Sequence, residues 1–214
     1  MLIESASLWL AATNCWVVAT DAGGPAVVID APPDPPGLGK LLARNDLYPH
    51  TLLLTHGHVD HMGGAGWMAD RYQLASFVHP DDDFLTLHPE DQLTHIFGMT
   101  PEGDFAPPSR LDALWDGLVV EMAGLRLETI HTPGHTPGHC CFYLPEEGVL
   151  FGGDQLFAGS IGRTDLPGGD YPLLMQSMGK LFDLPGETRV LPGHGPSTTL
   201  AVERRHNPFL ADLA

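Results

Sequence analysis

Three imidazoles and a carboxylate crowd into one short run, Thr55-His56-Gly57-His58-Val59-Asp60-His61. Neutral imidazole and carboxylate are ligands for Zn²⁺ and the neighbouring first-row ions. Gly57 lets the backbone bend sharply enough to turn successive side chains toward one point. As mere hydrogen-bonding groups at a strand end, so many titratable side chains would be expensive to desolvate. Gly63, Gly64 and Gly66 then open the next helix, which permits close approach of backbone to the site at some cost in helix stability.

Further ligand-type residues lie far along the chain. His131-Thr132-Pro133-Gly134-His135-Thr136-Pro137-Gly138-His139 carries two Pro-Gly pairs that forbid a helix, so it is a loop at a strand end. Spacing leaves open which of its three histidines are ligands. Asp154 follows the apolar run Val149–Phe151 and the pair Gly152-Gly153, and His194 repeats the design in Leu191-Pro192-Gly193-His194-Gly195. Four strand ends that each present metal-type ligands in turn-rich loops imply convergence at one edge of a layered fold.

The elements that must position these loops are short. Leu8–Ala12, Cys15–Thr20 and Pro25–Ala31 read as β-strands, with Asp21-Ala22-Gly23-Gly24 as a hairpin turn. A Pro-started helix is predicted over Asp34–Leu47, then a buried strand at His50–Leu54 and a loop from Thr55 leading into a helix around Met62–Arg71. Further strands are predicted at Leu74–Val78, Leu118–Met122, Leu125–Ile130, Cys140–Leu144 and Val149–Phe151, and helices at Tyr171–Phe182 and Leu200–Arg205. The acidic, Pro-punctuated stretch from Pro80 to Leu114 reads as helix and loop over one edge of the site. Two sheets face to face with helices outside, an α/β sandwich, fit this order.

With 214 residues the chain can bury one substantial core, and a single domain over residues 1–214 is expected. The 27 acidic against 10 basic residues, a formal net charge of -17, would repel a phosphate backbone or an anionic membrane, so neither nucleic acid nor membrane is an expected partner. Met1–Leu10 shows no basic region before an apolar stretch, and no run approaches the ~18 apolar residues of a spanning helix. A cytoplasmic protein is expected. Cys15, Cys140 and Cys141 support neither a disulfide framework nor a zinc ribbon, and the last two should point to opposite faces of a strand.

The motifs T-H-G-H-V-D-H, T-P-G-H-T-P-G, G-G-D and P-G-H-G, in that order, resemble the signature of the metallo-β-lactamase superfamily. Gly159-Ser160-Ile161-Gly162-Arg163-Thr164-Asp165 and the closing Asn207-Pro208-Phe209-Leu210 look like the short glyoxalase-II-like hydrolases. The resemblance implies a four-layer αβ/βα sandwich. It implies that His56, His58 and His135 hold one metal ion, that Asp60, His61 and His194 hold a second, and that Asp154 bridges both. It leaves His131 and His139 beside the site or on the surface, and gives no ligand role to His79, His88, His95 or His206.

Two divalent ions so held, zinc foremost with iron or manganese as alternatives, would supply a bridging hydroxide near neutral pH and an oxyanion partner, and Asp60 would orient that nucleophile. The implied activity is hydrolysis of a small anionic thioester of the S-lactoylglutathione type, whose thiol, of pKa ~8.5, departs without an acid. Full-length glyoxalase II continues into a helical domain that contributes to glutathione binding, whereas this chain ends shortly after Leu210. A persulfide dioxygenase shares the ligand pattern and a similar Gly-Arg-Thr-Asp segment but uses one iron, and a metal-holding interaction module without turnover is the reading from another class. Arg163, the one cation of its glycine-rich segment, is either an anchor for a substrate carboxylate or an internal partner of Asp165 or Asp170.

Overall fold

A computed structural model of the protein describes residues 1–103 and 105–213. In the N-terminal half, strands β1 (Leu2–Leu8), β2 (Thr13–Ala19), β3 (Pro25–Ile29), β4 (Tyr48–Leu53), β5 (Ala75–Val78) and β6 (Asp112–Ala113) form one sheet in chain order. The first three are antiparallel, and β3 to β6 run parallel. In the C-terminal half, β7 (Val119–Met122), β8 (Leu125–His131), β9 (Cys140–Leu144) and β10 (Val149–Gly153) make an antiparallel meander. A small hairpin of β11 (Leu156–Phe157) and β12 (Ser160–Ile161) follows, and β13 (Arg189–Pro192) then joins β10 in parallel with β14 (Thr198–Thr199) at the edge.

The layers follow from side-chain alternation along the strands. Neighbours in sequence enter different cores. Val17, Val28 and Leu52 pack outward with Leu38, Leu41 and Met68, whereas Val18, Val27 and Leu53 pack inward against Cys140, Phe142, Phe151 and Leu191 of the second sheet. Cys141, Leu150 and Val190 pack outward on the far side with Leu174, Met178 and Leu200. The outer residues belong to helices α1 (Pro35–Ala43), α2 (Val59–Met62) and α3 (Ala65–Tyr72) on one face, and to α6 (Tyr171–Leu181) and α7 (Leu200–His206) on the other, with α4 (Asp83–Thr86) and α5 (Leu93–Phe97) near the sheet edge. This is the four-layer αβ/βα sandwich. Cys140 and Cys141 divide between the central and outer cores as expected, and burial pushes the Cys141 thiol up to about 12.

Helix starts are set locally. Asp34 accepts from Gly37 N–H before two prolines, Asp170 accepts from Leu173 N–H before Pro172, and Thr199 accepts from Val202 N–H. The first helix is shorter than its apolar pattern suggests. It stops at Ala43, and Asp46, with φ +53°, turns the chain back into β4.

Two local expectations fail for tertiary reasons. Trp9–Ala12 is a turn and not a strand, because Trp9 and Ala12 adopt left-handed φ and the Trp9 ring packs on Phe97 and Phe105 under α5. The expected helix Met62–Arg71 is two helices, and the first begins inside the histidine motif, so Asp60 and His61 sit on a helical turn and not on a loop. Gly64 separates them because its N–H bonds Ala31 O, and a side chain there would meet the carbonyls of Ala31 and Pro32. The described residues from Pro80 to Leu114 form short helical turns and extended chain at one edge, ending in the unforeseen strand β6. No described helix is long and apolar enough to cross a membrane.

Candidate metal centre

The parallel pairings β3/β4 and β10/β13 bring the C-terminal ends of those strands to one edge of the sandwich. His56 and His58 follow β4, Asp60 and His61 lie on α2, His135 lies between β8 and β9, Asp154 follows β10 and His194 follows β13. Backbone bonds tie the two halves together there: Cys140 N–H donates to Thr55 O and Asn14 N–H to Gly193 O, while within the first half Ala31 N–H donates to His61 O. The seven candidate ligands from four chain regions therefore meet at one place.

They meet as two groups. His56 Nε2, His58 Nδ1 and His135 Nε2 stand 3.1, 2.9 and 3.2 Å from one another. In the second group His61 Nε2 is 3.3 Å from His194 Nε2 and 3.5 Å from Asp60 Oδ2, and His194 Nε2 is 3.2 Å from Asp60 Oδ2. Asp154 lies between: Oδ1 is 3.3 Å from His61 Nε2, while Oδ2 is 3.5 Å from His194 Nε2 and 3.7 Å from His135 Nε2.

The rest of the hydrogen-bond network dictates which ring nitrogens carry protons. His56 Nδ1 faces Thr55 Oγ1 at 3.0 Å, and that hydroxyl donates to Asp30, so His56 Nδ1 must be the donor. His135 Nδ1 donates to the Arg163 carbonyl at 2.7 Å, and His61 Nδ1 donates to Asp30 Oδ2 at 2.8 Å. The opposite nitrogens of His56 and His135 therefore turn lone pairs inward, and His61 Nε2 is left to face Asp154 and a cation.

The donor geometry tests whether metal ions fit. His56 Nε2 and His135 Nε2 aim lone pairs at each other across 3.2 Å with no proton of their own to share. Ligands ~2.0–2.1 Å from a tetrahedral ion stand ~3.3 Å apart, close to the spacing of all three nitrogens. Asp154 Oδ1 is buried and satisfies no hydrogen bond, an arrangement expected to be costly without a cation. The residues fit two cations that share Asp154.

Titration follows the same geometry. Burial pushes His58 down to about 3, with His135 adding to the effect, and burial likewise holds His56 and His135 below the ordinary histidine range. These rings are neutral, as ligation requires. Burial would raise the carboxyls of Asp60 and Asp154, but His61 and His194 outweigh it and hold both well below the usual carboxylate range. Burial opposes a charge on His61, yet Asp154, Asp60 and Asp30 together raise it, which shows how strongly the field at this spot favours positive charge.

The loop histidines that spacing could not separate are separated here. His139 is fully buried beside the ligands, but its Nε2 accepts from Asp154 N–H at 3.0 Å and its Nδ1 meets Thr132 Oγ1 at 2.9 Å, so it holds the Asp154 backbone. Gly153, with φ +48°, is what lets His139 and Thr55 come this close, since a Cβ there would stand 2.6 Å from His139 Nε2. His131 points away, stacked on His79 with ring centroids 4.0 Å apart, and bonds Pro137 O. Arg163 lines the cavity of ≈ 400 Å³ above Asp60, Asp154 and His194, and its guanidinium forks onto Asp165 through Nε and Nη2, each at 2.7 Å.

Several supporting residues were not read from the sequence. Asp30 braces Thr55 and His61, and through Thr55 also His56; Thr13 donates to Asp60 Oδ2 at 2.9 Å. Asp82 accepts from Gly57 N–H, Thr136 Oγ1 and Gly138 N–H, joining the His56–His58 turn to the His135 loop. A carboxylate directly after an apolar strand was a visible signal for Asp30; Asp82, one of three consecutive aspartates, carried none.

A family model for the metallo-beta-lactamase superfamily matches residues 8–194. Over the full length of both chains the protein is 39% identical to an uncharacterized protein of Mycobacterium leprae, and it is 35% identical to hydroxyacylglutathione hydrolase GloC of Haemophilus influenzae over 92% of each. Among solved structures, BLEG-1 B3 metallo-beta-lactamase superposes with a TM-score of 0.87 at 34% identity, covering 98% of this chain and 100% of that one. TTHA1623 in a di-iron-bound form gives 0.85 at 38% identity over 96% and 99%. ETHE1 from Myxococcus xanthus gives 0.77 at 26% identity over 99% and 85%. With the motifs, the layered fold and the paired donor groups in agreement, the chain belongs to the metallo-β-lactamase superfamily.

Proposed function

We propose that the protein is a dinuclear metallo-hydrolase of the glyoxalase-II type, cleaving a small anionic thioester such as S-lactoylglutathione. The observation that carries this reading is the pair of donor groups sharing Asp154 beneath a solvent-open cavity with Arg163 on its wall. His56, His58 and His135 would hold one ion, Asp60, His61 and His194 the second, and Asp154 both. When bound, the ions supply a water that ionises near neutral pH and positive charge for the carbonyl oxygen.

The protein's own groups do the remaining work. Asp60, whose Oδ2 is fixed by Thr13 and His194, orients the attacking water. His139 and Asp30 hold Asp154, His56 and His61 in place from behind. Arg163 takes a substrate carboxylate in competition with Asp165; both side chains are more than half exposed, and such surface pairs are weak. The thiolate leaves without a proton donor because thiols are acidic enough. Similarity to GloC supports the substrate class. The all-N/O donor set makes zinc the reading for the metal, and the di-iron form of TTHA1623 makes iron its alternative. Three free, buried cysteines accord with a cytoplasmic location.

Thiol release from S-lactoylglutathione and other glutathione thioesters by metal-replete protein tests the proposal, and no release from any of them with two ions bound would refute it. The likeness to ETHE1 favours one other reading, a mononuclear-iron persulfide dioxygenase. Iron-dependent oxygen uptake with glutathione persulfide, faster than any thioester cleavage, would select it.

A further inference from the structure

Beside the metal cavity lies a second, of ≈ 190 Å³, and the two share His58, Ile96 and Leu166 as common wall. Their linings differ in polar content. The metal cavity mixes the ligands and Arg163 with apolar residues such as Phe97, Phe157 and Ile161, whereas the second is formed chiefly by Phe84, Leu85, Ile96, Leu166 and Pro167 and holds no arginine. Its polar contributors His88, Asp91 and His95 are solvent-exposed residues, and the Phe84 ring, 51% exposed, is an apolar surface left open to water. A protein gains nothing in stability from such a surface.

This wall is held in register with the metal centre. The buried Gln92 side chain donates to Gly57 O at 3.0 Å and Leu85 O at 2.9 Å, and accepts from Val59 N–H at 3.1 Å. One residue thus fastens the apolar wall to the turn that carries His56 and His58, so a group in the cavity sits at a fixed offset from the reacting bond.

Resting on the thioesterase reading, we infer that this cavity is the acyl subsite, and that the substrate is a thioester with an anionic thiol limb toward Arg163 and an apolar acyl limb of about four to six carbons, or a phenyl ring. An apolar cavity of ~150 Å³ is enough to hold benzene. Lactoyl, with three carbons and a hydroxyl, underfills the space. With the subsite, apolar burial on one side of the metals supplements the charge contact on the other.

The test uses metal-replete protein and glutathione thioesters carrying lactoyl, acetyl, butanoyl and hexanoyl groups. Each methylene taken from water contributes ~0.8 kcal/mol, so kcat/KM should rise about fourfold per methylene until the cavity fills. Ile96→Trp, which fills the space, and Phe84→Ala, which opens it, should each flatten the hexanoyl-to-acetyl ratio; a general loss of activity cancels in that ratio. Calorimetric Kd values for S-hexylglutathione and S-methylglutathione should differ in the same direction and converge in Ile96→Trp. Thioester cleavage with a flat or falling chain-length response, or a ratio that neither variant alters, would overturn the subsite and leave the thioesterase reading standing. No cleavage of any thioester would overturn both.

Discussion

Replacing Asp82 with alanine should damage one metal position and spare the other, although the residue touches neither. Its carboxylate accepts from Gly57 N–H at 2.8 Å, Thr136 Oγ1 at 2.7 Å and Gly138 N–H at 2.6 Å, with no exposure to solvent. Truncation strands two buried amides and a hydroxyl, each costing ~1–3 kcal/mol. The hydroxyl can rotate to another acceptor. Burying a carboxylate is itself unfavourable, as the raised pKa of Asp82 attests, with burial as the dominant cause against its hydrogen bonds. The net loss should then be about 3–4 kcal/mol, or roughly 6–16 °C in Tm for a domain of this size. Gly57 lies between His56 and His58, and Thr136 follows His135, so the first donor group loses its brace while Asp60, His61 and His194 keep theirs. Affinity for one ion should fall about 10–100-fold and for the other hardly at all. Chelator competition followed by elemental analysis, beside thermal melts of Asp82→Ala and Asp82→Asn, measures this. Asparagine keeps an acceptor and should lie between wild type and alanine. Equal weakening of both ions, or a lower Tm with unchanged affinities, would refute the reasoning.

Four further outcomes are expected. Elemental analysis of zinc-replete protein should find two ions per chain, with His56→Ala weakening one and His194→Ala the other; a single ion in the wild type would end the dinuclear assignment. Arg163→Ala should raise KM for an anionic thioester by up to about tenfold, the exposed position limiting the effect, with metal content and Tm kept; an unchanged KM with a lower Tm would restrict Arg163 to bracing Asp165. Gly153→Ala should lose metal and stability together, because its φ of +48° and the nearness of His139 leave no room for a Cβ; circular-dichroism melts and metal content check it. Burial holds His56, His58 and His135 below their unfolded values, so the stability from keeping them neutral is full above about pH 6.5 and is lost as pH falls toward the folded values, His58's being about 3. Ligation needs the same neutral rings, so melts and metal content across that acid range should decline together.

The sequence by itself determined the chemistry and most of the elements. Imidazoles and carboxylates crowded into His56–His61, and recurring at Asp154 and His194 and in the His131–His139 loop, point to metal-type ligands through local composition, while only the family resemblance picked His135 from its loop. That Cys140 and Cys141 face opposite sides of their strand was legible because the strand period of two is a local property. Tertiary structure decided what depends on partners distant in the chain. His131 and His139 stand at equal spacing from His135, and only the approach of the Asp154 backbone turns His139 inward while the His79 ring holds His131 outside. The break at Gly63–Gly64 follows from the carbonyls of Ala31 and Pro32, and the turn at Trp9–Ala12 from the aromatic cluster under α5. Asp30 and Asp82 owe their roles to groups 25 or more residues away, such as Thr55 and Gly57. Propensity and periodicity are short-range, whereas a buried hydrogen bond needs a partner that the topology alone delivers, and for that reason the ligands could be read from the chain and their supports could not.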